Sequence, residues 1–178
     1  EHGNLMVKKA HKPFTLDNFR IISTTTLFRK LLCRMEFNRV RSFWANTNLL
    51  AETQTGCKKG SSSMDNILLL DNSISIAKLL KKATFILLTD FSKNYPSTDL
   101  KFAVPALAAV GIPVNMTKFW TKCFRRSTVK IHINNRLLAV VKRRSGMPEG
   151  CLTSIWFIAG IMQVLHRALS LIEITHPD

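Results

Sequence analysis

Three stretches carry residue types that can do chemistry. In the first, Thr84-Phe85-Ile86-Leu87-Leu88-Thr89-Asp90-Phe91-Ser92-Lys93-Asn94-Tyr95-Pro96, an uncharged apolar run ends in one carboxylate. Such a run predicts a short strand buried on both faces. A carboxylate at the end of a buried strand is where a sheet presents a metal ligand to a cleft. An Asp in that place also caps ordinary turns, so Asp90 alone is a weak signal. The second stretch, Gln54-Thr55-Gly56-Cys57-Lys58-Lys59-Gly60-Ser61-Ser62-Ser63, brackets two lysines with glycines. Backbone amides freed by glycine, next to ammonium groups, suit a phosphate. The spacing is not that of a Walker loop, and an ordinary polar turn has the same composition. The third, Ser145-Gly146-Met147-Pro148-Glu149-Gly150, is a Gly/Pro loop that opens an apolar helix.

Composition bounds the partners. The 178 residues suit one domain or a piece of a larger one, and 46% are hydrophobic, enough for a sizeable core. Lys and Arg number 26 against 11 Asp and Glu, a net charge of +15. That field favours nucleic acid or an anionic membrane surface, and the basic residues are spread along the chain rather than held in an arm. Cys33, Cys57, Cys123 and Cys151 show no C-x-x-C spacing. They read as reduced intracellular thiols, not as a zinc site or a disulfide framework. The expected location is therefore the nucleus or cytoplasm, without secretion. The longest nearly apolar run, residues 151–165, is shorter than the ~18–20 residues that span a bilayer and predicts a core helix rather than a transmembrane segment.

The elements that must position these stretches follow from periodicity. Residues 1–20 are polar and basic and read as extended. A helix over about 26–45 has Leu27, Phe28, Leu31, Leu32, Met35, Phe37, Val40, Phe43 and Trp44 at i, i+3 and i, i+4 spacings, with Arg29, Lys30, Arg34, Arg39 and Arg41 between them. Ser63 is placed to cap a second helix, about 64–82, with Met64, Ile67, Leu68, Ile74, Ala77, Leu79 and Leu80 inward. Helices over about 100–110 and 115–125 are separated by Gly111-Ile112-Pro113. Residues 129–133 and 137–141 flank Asn134-Asn135-Arg136 as a β-hairpin, with His132 as an exposed strand residue. The final helix covers roughly 152–170.

The order of these pieces resembles the fingers and early palm of a reverse transcriptase of the non-LTR retrotransposon type. Asp17-Asn18-Phe19-Arg20-Ile21-Ile22-Ser23 is similar to that family's N-Y-R-P-I-S segment, with Ile21 in place of the proline. Leu49-Leu50 and the lysine loop through Asp65 resemble its N-x-L-L…Q-x-G-F-R-x-G-R-S-T-x-D block. Residues 89–99 resemble motif A in its D-x-x-N-A-F-P-S-T-D variant, and Gly146-Met147-Pro148-Glu149-Gly150 with Ser154 resembles motif B, G-x-P-Q-G-x-x-x-S. The resemblance covers roughly residues 7–160.

It implies an α/β (α+β) fold, a helix-rich fingers and partial palm of a right-hand polymerase. Residues 1–83 would form a basic, fingers-like helical region and 84–178 the partial palm. It implies a template RNA, a primer DNA and deoxynucleotides as partners, with paired Mg²⁺ ions stabilising the attacking and leaving oxygens. By the match, Asp90 with the Phe91 carbonyl holds metal, and Lys58 grips the incoming triphosphate without the bidentate fork of the family's Arg. Tyr95 takes the place of the aromatic that excludes a ribose 2′-hydroxyl. Gly146, Pro148, Glu149 and Gly150 would pack under the template and incoming base. Arg20, Arg34, Arg39, Arg41 and Lys59 are the candidate phosphate-backbone contacts. The departures are the absent aromatic-Ala-Asp-Asp motif C, Glu149 for Gln, Cys57 for Phe and Ser61 for Arg, and Leu152 and Ile155 where Pro is frequent. The expectation is a truncated or degenerate copy, inactive by itself. A non-catalytic nucleic-acid-binding module is the alternative, and a membrane-surface or interaction protein a third reading.

Overall fold

The computed structural model describes residues 2–8, 11, 13, 15, 18–133 and 136–175. Asp17 and the Asn134-Asn135 turn therefore lie outside the described residues. Strand β1 (His2–Lys8) and strand β2 (Phe19–Ser23) pair antiparallel, so part of the segment read as extended forms a strand pair. Strands β3 (Thr128–Ile133) and β4 (Arg136–Lys142) form the expected hairpin. β1 runs parallel to β3, which closes a four-stranded sheet in the order β2-β1-β3-β4.

Six helices complete the described fold: α1 (Leu27–Thr47), α2 (Ser63–Leu79), α3 (Asn94–Ser97), α4 (Leu100–Ala109), α5 (Val114–Arg125) and α6 (Leu152–Thr175). The helices dominate and the sheet is small, in keeping with an α/β class. The core lies where α1, α4, α5 and α6 meet. Along α1, Cys33, Val40 and Trp44 recur on one face and are buried, with Phe37 partly buried between them, as a period of ~3.6 residues requires. They pack with Leu100, Ala103 and Leu107 of α4, Trp120 and Phe124 of α5, and Trp156 and Phe157 of α6. Phe124 meets Phe157 edge-on at 5.6 Å. Two polar tips inside this core are matched: Trp44 Nε1 donates to the Val110 carbonyl at 3.1 Å, and Trp120 Nε1 donates to the Glu36 carboxylate. Trp156 Nε1, Thr153 Oγ1 and Ser154 Oγ, by contrast, are buried without a hydrogen-bond partner among the described residues. Burial pushes the Glu36 carboxyl up, opposed by the Trp120 bond and by Arg39.

α6 contributes more buried residues than any other described element. Leu152–Ile172 is long and apolar enough to cross a membrane by length and composition, yet Thr153, Ser154, Trp156, Phe157, Ala159 and Gln163 on it are buried in this core. Gln163 Oε1 accepts from the Ala51 amide at 2.9 Å, and His166 Nε2 pairs with Thr53 Oγ1 at 2.9 Å. These bonds tie the chain after α1 to α6.

Three expectations are corrected. Residues 84–90 form no strand: Phe85, Leu87 and Leu88 are 96%, 87% and 82% exposed. A strand exists through its ladder partners. The two sides of β3 are taken by β1 and β4, and residues 84–90 do not pair with the free outer edge of β4 either. Instead Thr84 and Ile86 line one hollow with Ile74, Ala77, Lys78 and Lys82. The second correction is α2, which has no fully buried side chain; Met64, Ile67, Leu68, Leu79 and Leu80 are exposed. Ile67 to Leu70 are consecutive and so circle the helix instead of defining an inward face. Third, α1 carries a second apolar stripe, Leu27, Phe28, Leu31 and Met35, that faces solvent.

Candidate functional site

The loop at residues 146–150 is the junction of the molecule. Gly146 is buried, with φ +67, and a Cβ there would lie 2.1 Å from the Pro96 carbonyl oxygen. Only glycine permits this combination of left-handed backbone and backbone-to-backbone approach. The next residue makes the join a hydrogen bond: the Met147 amide donates to the Tyr95 carbonyl at 2.8 Å. On its other side the Ser23 amide at the end of β2 donates to the Glu149 carbonyl at 2.9 Å. Gly150, at φ +88, comes close enough to the Ser23 carbonyl that an added Cβ would sit 3.2 Å from it. α6 begins two residues further on. One loop thus connects the end of the N-terminal strand pair, the turn after Asp90 and the core helix.

Tyr95 is held by α3, a single turn. Its N-cap, Lys93, is in the left-handed region at φ 50. The turn is closed by Ser97 Oγ, which donates to the Lys93 carbonyl at 2.8 Å, and by Thr98 Oγ1, which donates to the Asn94 carbonyl at 2.7 Å. Asp99 then caps α4 by accepting from the Lys101 amide at 2.8 Å. The Tyr95 ring is half-buried, and its hydroxyl is pushed up by burial and then by the neighbouring Cys57 and Glu149. Tyr95, Glu149 and Cys57 therefore share one small region, although they come from three separate sequence blocks.

The lysine loop meets that region through Cys57. This residue packs against the core while Lys58 and Lys59, just before Gly60, remain exposed. Burial pushes the Cys57 thiol up to about 11, against the pull of Arg41. Cys57 and Gly60 have φ +67 and +81, and nothing lies within 4 Å of a Cβ added at Gly56 or Gly60. The loop is open on its outer side and runs into α2. There Ser62 and Asp65 form a reciprocal capping box, the Ser62 amide donating to Asp65 Oδ2 at 2.7 Å.

The remaining candidates are less gathered. Asp90 and Phe91 are exposed, on the segment without a strand. Among the described residues, Asp90 is tied to the junction only through the chain leading to Tyr95. Arg34 and Arg39 are exposed on α1, and at ~100° per residue they point about 140° apart. Arg41 lies about 20° from Arg34 and rests over the Phe37 ring at 5.6 Å. Arg20 lies in β2, opposite Val7; its side chain lies outside the described part. His132 is half-buried on β3 rather than exposed. Sequence reasoning missed Ser23 and Pro96 as the backbone partners of the loop. The available signal was a Gly/Pro-rich loop with glycines at both ends, which announces a close approach without saying to what.

The reverse transcriptase (RNA-dependent DNA polymerase) family matches residues 7–176. That span takes in the end of β1, the other three strands, all six helices and the junction, and the chain belongs to this family. Its members bind template, primer and nucleotides and generally use divalent metal ions. Two hard cations side by side require several carboxylates. Among the described residues no three His, Cys, Asp or Glu side chains converge, and Asp90 stands exposed on an unpaired segment. These residues do not fit a two-ion site.

Proposed function

We propose that this chain is the fingers and the first part of the palm of a non-LTR retrotransposon type reverse transcriptase, a nucleic-acid-binding and nucleotide-binding piece without polymerase activity by itself. The observation that carries the reading is the junction. The loop resembling motif B is bonded to the turn resembling motif A and to the end of the N-terminal block, as Met147 to Tyr95 and Glu149 to Ser23. In this reading Gly146, Pro148, Glu149 and Gly150 form a floor beneath template and incoming base. Tyr95 stands beside the sugar, and Lys58 supplies charge to the triphosphate. Arg20, Arg34, Arg39, Arg41 and Lys59 take phosphates of the template and primer. Asp90 would offer a single carboxylate oxygen pair to one metal ion. The working place is intracellular, in the nucleus or cytoplasm.

Primer extension on an RNA template with Mg²⁺ and deoxynucleotides tests the chemistry. The expected result is no extension by the purified chain. Extension that Asp90→Ala abolishes would overturn it. Binding is tested in parallel with single-stranded RNA of mixed sequence. Affinity should fall steeply with salt, because each neutralised phosphate of a single strand releases ~0.7 counterion. Replacing Arg34, Arg39 and Arg41 together by Ala should flatten the slope by up to about 2. A salt-independent affinity would remove the nucleic-acid reading altogether.

A further inference from the structure

We propose that Cys33 and Cys151 form a redox pair, which a hydroperoxide converts to a disulfide that locks α1 to the start of α6 and to the 146–150 loop. The two residues are 118 positions apart in the chain, yet their sulfurs stand 3.7 Å apart in the core. Both are free and buried. Bond formation asks the sulfurs to close from 3.7 Å to ~2.05 Å. Cys57 and Cys123 are also free, but neither is in contact with another sulfur among the described residues.

The surroundings divide the roles. Cys151 sits at the amino end of α6, where the Thr153 and Ser154 amides point at its sulfur, and the Arg29 guanidinium adds positive charge. With the Cys33 hydrogen bond as the largest contribution, these hold its thiol well below the ordinary cysteine range. Cys33 is pushed the other way, first by that same bond and then by burial, so it keeps its proton. Arg143 is the other charged group near Cys151. A thiolate is the nucleophile in thiol oxidation, and a protonated neighbour completes the pair. The Cys151 thiolate attacks one oxygen of hydrogen peroxide, forming Cys151–SOH and releasing hydroxide. The Cys33 sulfur then displaces that hydroxyl as water and gives up its proton. Two thiols lose two electrons and two protons, and the peroxide becomes two waters. Access is short, because Cys151 directly follows exposed Gly150. The pairing is independent of the proposed polymerase reading.

The test uses the full chain, reduced, desalted and exposed to a modest excess of hydrogen peroxide. Remaining thiols are then alkylated and peptides mapped by mass spectrometry. A dithiothreitol-reversible link between the Cys33 and Cys151 peptides is expected, with Cys57 and Cys123 alkylated. Trypsin cleavage after Arg144, beside the loop, should slow several-fold in the oxidised protein. Alkylation of both Cys33 and Cys151 after peroxide, or links that use Cys57 or Cys123, would overturn the pairing. Unchanged cleavage after Arg144 would overturn the lock. Cys151→Ser should abolish the link. Should that variant fail to fold, the Cys57→Ser/Cys123→Ser protein gives the same decision, since only Cys33 and Cys151 then remain to pair.

Discussion

At the scale of single residues, Gly146 is the most constrained position described here. A side chain at φ +67 costs ~1–2 kcal/mol for an L-residue. A methyl group driven into the Pro96 carbonyl adds to that cost, because the obstacle is backbone on a hydrogen-bonded turn. Gly146→Ala should therefore lower unfolding free energy by more than about 2 kcal/mol, read as a lower urea midpoint. Gly56→Ala is the matched control, since nothing lies within 4 Å of its added Cβ, and it should shift stability by no more than about 1 kcal/mol. Equal effects at the two positions would show that the junction is not tightly closed.

Elements differ in how they are held. α6 is fixed by aromatic packing and by Gln163 and His166 on the 51–54 segment. α2 has no fully buried side chain and is held by its own hydrogen bonds, its capping box, one bond from Asn66 Nδ2 to Thr55 Oγ1 at 3.2 Å and the hollow that Ile74 and Ala77 share with Thr84 and Ile86. Such a helix opens locally without the rest unfolding. Ser62→Ala removes the side-chain acceptor for the Met64 amide, a bond of 3.1 Å. The loss of about 1 kcal/mol expected for an N-cap should appear as faster amide exchange across Ser63–Leu79, with α6 amides unchanged. Slowed exchange nowhere and equal acceleration in both helices would mean that α2 is part of the global folding unit.

For the molecule as a whole, the notable feature is apolar surface without cover. Besides α2 and the outer stripe of α1, the 84–91 segment and β4, with Leu137, Leu138, Val140 and Val141, are exposed. Contiguous apolar surface of this kind drives association, and β4 is also a sheet edge. Replacing Leu87 and Leu88 by Lys and Glu should reduce self-association in sedimentation and lower the fluorescence of a bound apolar dye. Stability should move by no more than ~0.5 kcal/mol per site, as at other surface positions. A loss of about 2 kcal/mol or more would show that the segment is packed as a strand after all.

Much of this protein was legible in its sequence because it is local. The 3.6-residue period placed the helices, Asp99 and Gly111 marked the ends of α4, and the asparagine turn marked the hairpin. The blocks similar to a polymerase lay in order, and the family match over residues 7–176 agrees with them at the level of reverse transcriptase. What the sequence could not carry was pairing. An apolar run such as 84–90 has the composition of a buried strand, but burial is decided by neighbours, and β1 occupies the place beside β3. The same holds for the N-terminal strand pair, whose ladder joins residues that share no local period. Cys33 and Cys151, unremarkable by spacing, became a pair only when α1 packed on α6. Periodicity and turn chemistry act within a few residues, whereas a ladder, a junction or a thiol pair is the meeting of distant segments, and only the packed chain selects which ones meet.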